Sequence, residues 1–315
     1  MRNTYRFLKK FFYILLINLL IVAIFSVISF SFMSIDDSVT QSVKLRFPHI
    51  VTIMLYLFVI ATIGIAIFAS VKAKSINVTH IKKQHKFFQF ASVFCAIMMM
   101  IFFIYECVIS ITKANFQLYF FFRASRWLLT IPFCAYFIVQ ALPKKIKRTK
   151  IQIPRWAKVT LSVCAILWCV FGILTTYFSG LQHNDITKIT LLLVYVAIAI
   201  FFVFEGEFEF VKSAHKPYMI SAFACTALAF AFPLGISIAK IFGKISPYRA
   251  FSQPELLLTI ALGIYALAKM FALLSTMHTV IENTSTGGHS SKFNKPTVTV
   301  VDEPAIEGDA PSENN

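Results

Sequence analysis

The sequence predicts an all-α membrane protein with eight transmembrane helices, and three observations carry that expectation. Hydrophobic residues make up 58% of the 315 residues and charged residues only 14%, with a mean hydropathy of +0.74. An ordinary soluble domain carries about 25% charged residues. The deficit is gathered into long apolar runs, of the length that crosses a hydrocarbon core about 30 Å thick. Lys and Arg are abundant and sparse in alternate loops, the pattern that orients a chain in a membrane.

The runs fall at about 11–33, 50–71, 88–112, 118–141, 159–178, 189–204, 218–241 and 256–276. In a bilayer each must be helical, because no water is present to bond its backbone donors. The first run follows Arg2, Arg6, Lys9 and Lys10, as the core of a cleaved signal peptide would. Such cores are typically about 7–15 residues, so the longer run here is expected to be a retained anchor. The sixth run is short and ends at Glu205.

Twenty of the thirty basic residues lie at the N-terminus, in the 72–87, 143–158 and 205–217 loops and in the C-terminal tail. The intervening loops carry only Lys44, Arg46, Lys113, Lys188, Lys244 and Arg249. Strict alternation of this kind places both termini in the cytoplasm. The net charge of +16 therefore sits in short loops and serves orientation. It indicates a lipid bilayer as the partner and excludes nucleic acid.

Cys95, Cys107, Cys134, Cys164, Cys169 and Cys225 all lie inside apolar runs, with no CxxC or Cys/His pattern. They read as small buried hydrophobes, with neither a disulfide framework nor a metal site. No phosphate loop, metal-ligand cluster or hydrolase motif occurs, and no soluble segment is large enough for a catalytic domain, so no enzyme is expected. Residues 1–49 read as a basic cytoplasmic N-terminus, a first helix and an outer loop, and residues 50–281 as a seven-helix bundle. The polar tail, residues 282–315, is expected to be disordered in the cytoplasm.

Ionisable residues inside membrane spans are costly and mark functional positions by default. Here they are Glu106 in the third run, Arg123 and Arg126 in the fourth, and Lys240 and Lys269 in the last two. Lys240 lies near the end of its run and can reach the interface along its own stem. Lys269 cannot: it lies about two turns or more from either end of its run. It must be neutral, paired with a buried anion, or joined to an aldehyde as a Schiff base. Helical spacing sets 123, 126/127, 130 and 134 on one stripe of the fourth helix.

These residues resemble the microbial (type 1) rhodopsin family. In that family the third core helix carries Arg-x-x-Asp-Trp-x-x-Thr-x-Pro, and this chain has Arg123, Arg126, Trp127, Thr130 and Pro132 at that spacing. The family's last helix carries Asp-x-x-x-Lys, and this chain has Tyr265 and Lys269. An aromatic–proline pair in the sixth core helix is matched by Phe232 and Pro233. The resemblance implies a seven-helix rhodopsin-like bundle plus one N-terminal transmembrane helix. It also implies retinal on Lys269, with Trp127, Thr130, Pro132, Phe232, Pro233 and Tyr265 around it.

The departures matter as much. The usual counterion position is Arg126, the second acid is Tyr265, the proton-donor position is Phe137, and a flanking tryptophan is Ala229. An ordinary proton pump is therefore not implied. A second cation about 4 Å from a protonated Schiff base costs about 4 kcal/mol at an effective dielectric of 20. An unprotonated Schiff base, or chloride or another anion among Arg123, Arg126 and Lys269, would relieve it. Glu106 is expected either to pair with one arginine or to act as a displaced counterion.

The resulting expectation is a retinal-binding photosensor or light-gated ion conductance, which acts on ions or on a membrane or cytoplasmic signalling partner. The alternative is an opsin-like membrane protein without photochemistry, serving as an interaction protein or a small-solute transporter.

Overall fold

The computed structural model describes residues 2–31, 33–35, 43–45, 50–72, 86–112, 118–142, 145–146, 149–150, 154–178, 186–208, 215–242 and 252–285. Its helices are α1 (Arg2–Ser31), α2 (Ile50–Lys72), α3 (Lys86–Thr112), α4 (Leu118–Ala141) and α5 (Arg155–Tyr177), followed by α6 (Ile186–Phe208), α7 (His215–Ala231), α8 (Pro233–Ile241) and α9 (Gln253–Ser285). Two short antiparallel ladders lie in connections: β1 (Met33–Ile35) with β2 (Val43–Leu45), and β3 (Lys145–Ile146) with β4 (Thr149–Lys150).

All eight expected segments are helical, and seven are long and apolar enough to cross a membrane. The chain is thus a multi-pass integral membrane protein. The helix outside those seven is α4, which matches its neighbours in length at 24 residues. Its Arg123 and Arg126 lower its hydropathy. Outward-facing residues such as Ile17, Leu20, Leu57, Ile60, Phe90 and Ile104 are exposed, as a lipid-facing surface requires.

Two helix ends differ from expectation in ways that matter for function. α6 continues through Glu205 to Phe208, and α9 begins at Gln253, ahead of Glu255. Both carboxylates thereby enter helices. α9 also runs on to Ser285, so residues 282–285 of the expected tail are helical; residues 286–315 lie outside the described residues. Extending an existing helix fixes one residue for each bond gained, so it continues past the apolar run.

The seventh apolar run is one span broken in two. Pro233 has no N–H to donate, and Phe232 between α7 and α8 leaves the regular helical path (φ −119°, ψ −62°).

α3, α4, α5, α6, α7 and α9 pack in succession, and α9 closes on α3 to complete a six-helix ring. α1 and α2 form a hairpin laid against α7 and α8. A sequential ring of segments two to eight would set α2 beside α3 and α9. Instead α2 packs chiefly on α1 and α7, so the grouping differs from a seven-helix bundle with one appended helix.

Polar contacts explain the hairpin. Asn18 Nδ2 donates to Thr62 Oγ1 (2.6 Å) and to the Phe58 carbonyl (3.0 Å), and Ser29 and Thr52 hydroxyls meet at 2.9 Å. Between apolar helices in lipid, such bonds and small residues hold the interface. α1 is built into the core: Phe12 packs edge-on against Phe223 of α7 and Phe271 of α9. A Cβ at Gly235 would fall 2.7 Å from the Ser26 carbonyl oxygen, and one at Gly263 would fall 2.6 Å from the Ala229 Cβ. Glycine is what lets α1 approach α8 and α7 approach α9.

Candidate functional site: three ion pairs along one bundle

Each charged side chain singled out on α4 and α9 has a carboxylate partner from another helix. Near the N-terminal end of α9, Arg123 Nε lies 2.5 Å from Glu106 Oε2, and its Nη2 lies 3.2 Å from Oε1. This two-pronged contact links α4 to α3, as the sequence pointed to for Glu106 and one arginine.

Arg126, one turn further along α4, turns into the ring. Its Nη1 donates to Glu255 Oε1 at 2.7 Å and its Nη2 to the Tyr195 hydroxyl at 2.6 Å. The Tyr195 hydroxyl in turn donates to Glu255. The rings of Trp168, Tyr195 and Phe102 stand 4.2, 4.8 and 5.1 Å from the guanidinium carbon. A cation–π contact gains strength when desolvated, and Arg126 is only 5% exposed. Gly172 admits this packing, since a Cβ there would sit 3.3 Å from Arg126 Nε.

Toward the opposite end of the ring, Lys269 Nζ lies 2.6 Å from Glu205 Oε1. The Tyr136 hydroxyl donates to the same oxygen, and the Tyr265 hydroxyl reaches it at 3.1 Å. The Phe88 ring centroid is 4.7 Å from the ammonium nitrogen. Lys269 and Glu205 are each 5% exposed. Glu205 Oε2 has no hydrogen-bond partner among the described residues.

An aromatic layer separates the two clusters. Trp168 packs on Tyr195 and Phe133, Phe133 on Phe202, and Phe202 on Tyr136 and Tyr265. Phe137 fills the space beside Tyr265. Within this layer the Thr130 hydroxyl accepts from Trp168 Nε1 at 3.0 Å and donates to the Arg126 carbonyl.

This geometry corrects three sequence expectations. Arg126 and Lys269 do not share a site: their carboxylates, Glu255 and Glu205, belong to different clusters. Glu255 and Lys269 are fourteen residues apart on one helix, about 21 Å at 1.5 Å per residue. Glu106 is not the one carboxylate deep in the bundle, because Glu205 and Glu255 are buried too. Carboxylates pair with Arg123, Arg126 and Lys269, supplying the compensation that the sequence reading assigned to an unprotonated Schiff base or to chloride or another anion.

The residues that the resemblance assigns to retinal do not converge on Lys269. Trp127 stacks on Phe103 and donates to its carbonyl. It lies nine residues from Tyr136 on α4, about 13 Å along the axis. Phe232 packs on Phe30 and Tyr56, toward α1 and α2. Thr226 of α7 bonds the Gly263 carbonyl of α9. Phe232 lies six residues beyond one, and Lys269 six beyond the other in the opposite direction, about 18 Å apart along the bundle. Pro233 starts α8 beside Phe232, and Pro132 is accommodated inside α4. Ala229 sits at the α7–α9 contact, where an indole has no room. Of the assigned set, only Tyr265 joins Lys269, through Glu205. The residues present do not fit retinal as the resemblance arranges it.

Glu205, Glu255, Tyr136 and Tyr195 escaped the sequence reading. A signal existed for Glu205: Tyr195, Ile198, Phe202 and Glu205 recur at helical spacing and all are buried, while Glu207 is exposed. Glu255 sat one residue outside the apolar run, where an acid reads as the first turn of a helix. No family model, curated protein or solved structure matches the chain.

Proposed function

We propose that this multi-pass membrane protein, with both termini in the cytoplasm, moves a small solute through its six-helix ring. The supporting observation is the pair of buried charge clusters on either side of one aromatic layer, Arg126–Glu255–Tyr195 at one end and Lys269–Glu205–Tyr136–Tyr265 at the other. Burying charges in a membrane is costly, and pairing only partly offsets it. A bundle held together by apolar packing alone has no need of two such clusters, whereas a pathway for a charged or proton-linked solute does.

The mechanism follows from which elements hold each cluster. Arg126 ties α4 to α6 and α9, and Lys269 ties α9 to α6 with a further link to α4. The same three helices are thus latched at both ends. Opening one latch while the other stays closed gives the ring two arrangements, each with access from one side. The aromatic layer keeps water from running through in either arrangement. No chemistry on a bound substrate is called for, and we propose no enzymatic activity.

The test is flux in darkness from proteoliposomes, recorded as currents and internal pH changes under imposed gradients of salts and small metabolites. Flux that Arg126→Gln and Glu205→Gln both abolish supports transport. No flux with any gradient would leave an interaction protein as the reading. The expected retinal chemistry is tested on the same preparation, with all-trans retinal added. An absorption band that disappears in Lys269→Ala would restore the photoreceptor reading.

A further inference from the structure

We propose that α8 is the outer gate of the ring: it tilts about Phe232, and as it tilts Glu255 exchanges Arg126 for Lys240. The inference deepens the transport reading and rests on it only for what the motion serves.

The break at Phe232 separates two differently anchored halves of one span. Just before it, α7 is fixed to α9: Thr226 Oγ1 donates to the Gly263 carbonyl at 3.1 Å, and Ala229 stands against Gly263. Just after it, α8 is fixed to α1, where Gly235 lies against Ser26 and Phe30. Pro233 offers no N–H to the Ala229 carbonyl, so the bond that would stiffen the joint is missing. Sharp bends of this origin are common in helices, and hinges are built from a few such residues at the ends of elements. A close-packed interior leaves a side chain nowhere to go. At this joint there is room: Phe232 borders a cavity with about 10 Å³ open to a water's centre, lined also by Ser29, Thr52, Tyr56 and Thr190. That is about the space of one water molecule.

α8 is also tied to the outer ion pair. Gln253, at the start of α9, donates through Nε2 to the Ser237 hydroxyl at 2.5 Å and to the Ser237 carbonyl at 3.3 Å. Two residues on, Glu255 donates its N–H to the Ser252 hydroxyl at 3.2 Å and accepts from Arg126 Nη1 at 2.7 Å. A shift of α8 therefore pulls on the turn that carries Glu255. Parting Glu255 from Arg126 with no substitute would strand a buried charge. Substitutes stand on both sides. Lys240, half-buried on α8, already feels the charge of Glu255, and Arg126 feels that of Glu106. Arg126 also keeps its aromatic surround. The ring thus has two arrangements in which Glu255 is compensated, one with Arg126 and one with Lys240, and the position of α8 selects between them.

The test reads distances in the full chain in liposomes, with the six native cysteines replaced. Ile241→Cys on α8 and Phe178→Cys beyond α5, both exposed positions, carry spin labels for pulsed electron resonance. The parent is expected to show two separations. Arg126→Gln should shift the population toward the Lys240 arrangement and Lys240→Met toward the Arg126 arrangement. In a Gln253→Ala background both shifts should shrink, because the tie to Ser237 is gone. Pro233→Ala restores the missing backbone donor; it should leave one narrow distribution and lose most of the flux. One narrow distribution in the parent, or two that ignore Arg126 and Lys240 alike, would overturn the proposal whether or not Pro233→Ala folds. Two separations that respond to these variants without any flux keep the exchange and remove the transport reading. Flux undiminished by Pro233→Ala keeps transport and removes the gate.

Discussion

Lys269 and Glu205 meet across the ring from α9 and α6, nitrogen to oxygen 2.6 Å apart, with two tyrosine hydroxyls on the same carboxylate oxygen. Removing one member leaves the other as an uncompensated charge, which costs about 3–5 kcal/mol in a buried pair. Glu205→Leu and Lys269→Met should each lower the thermal midpoint in detergent by a large margin. The double variant should recover most of the loss, because two apolar side chains replace a neutral pair. Additive losses in the double variant would show that the two residues are not coupled.

Arg126 should not tolerate lysine. A lysine keeps the charge but cannot bond Glu255 and Tyr195 with separate nitrogens, nor present a flat face to Trp168. Loss of the desolvated cation–π contact alone is worth about 2 kcal/mol. Arg126→Lys is therefore expected to melt well below the parent, and close to Arg126→Gln. A lysine variant that melts like the parent would mean that charge alone matters here.

Gly263 and Ala229 make a compensating pair. Gly263→Ala puts a methyl into the space of the Ala229 methyl, and overpacking of this kind costs about 1–3 kcal/mol. Adding Ala229→Gly should restore the midpoint. If Gly263→Ala alone is neutral, α7 and α9 can separate more easily than their packing implies.

Topology can be read by labelling. With the six native cysteines replaced, single cysteines at Ser75 and Thr149 should react with a membrane-impermeant maleimide only after the membrane is broken. Cysteines at Ser179 and Ser246 should react in intact cells. The reverse pattern would invert the orientation drawn from the basic residues.

Much of the architecture was legible because it follows from local chemistry. Apolar runs of spanning length become helices wherever they meet a bilayer, so all eight segments appear as helices. Pro233 announces the break between α7 and α8, since it removes a donor wherever it stands in a helix. Lys269 stands out for the same kind of reason: no lysine sits so deep in an apolar run without a partner.

The partner itself was not legible. Glu205 and Glu255 lie at the edges of apolar runs, and a run is bounded in sequence by the charges that end it. Whether such a charge faces lipid, water or a neighbouring helix depends on how far the helix continues and how it is rotated. Packing sets both. The resemblance failed geometrically for a related reason. Spacing along α4, α8 and α9 matches a motif, yet depth and facing put Trp127 and Phe232 far from Lys269.

The sequence by itself thus determined the membrane, the helices and the costly charges, because each is a property of a short segment and its solvent. Only the tertiary structure decided that α1 and α2 stand outside a six-helix ring and that Arg123, Arg126 and Lys269 each have their own carboxylate. Those facts belong to pairs of helices, and a pair's energy depends on the faces the two present to each other, which no segment specifies alone.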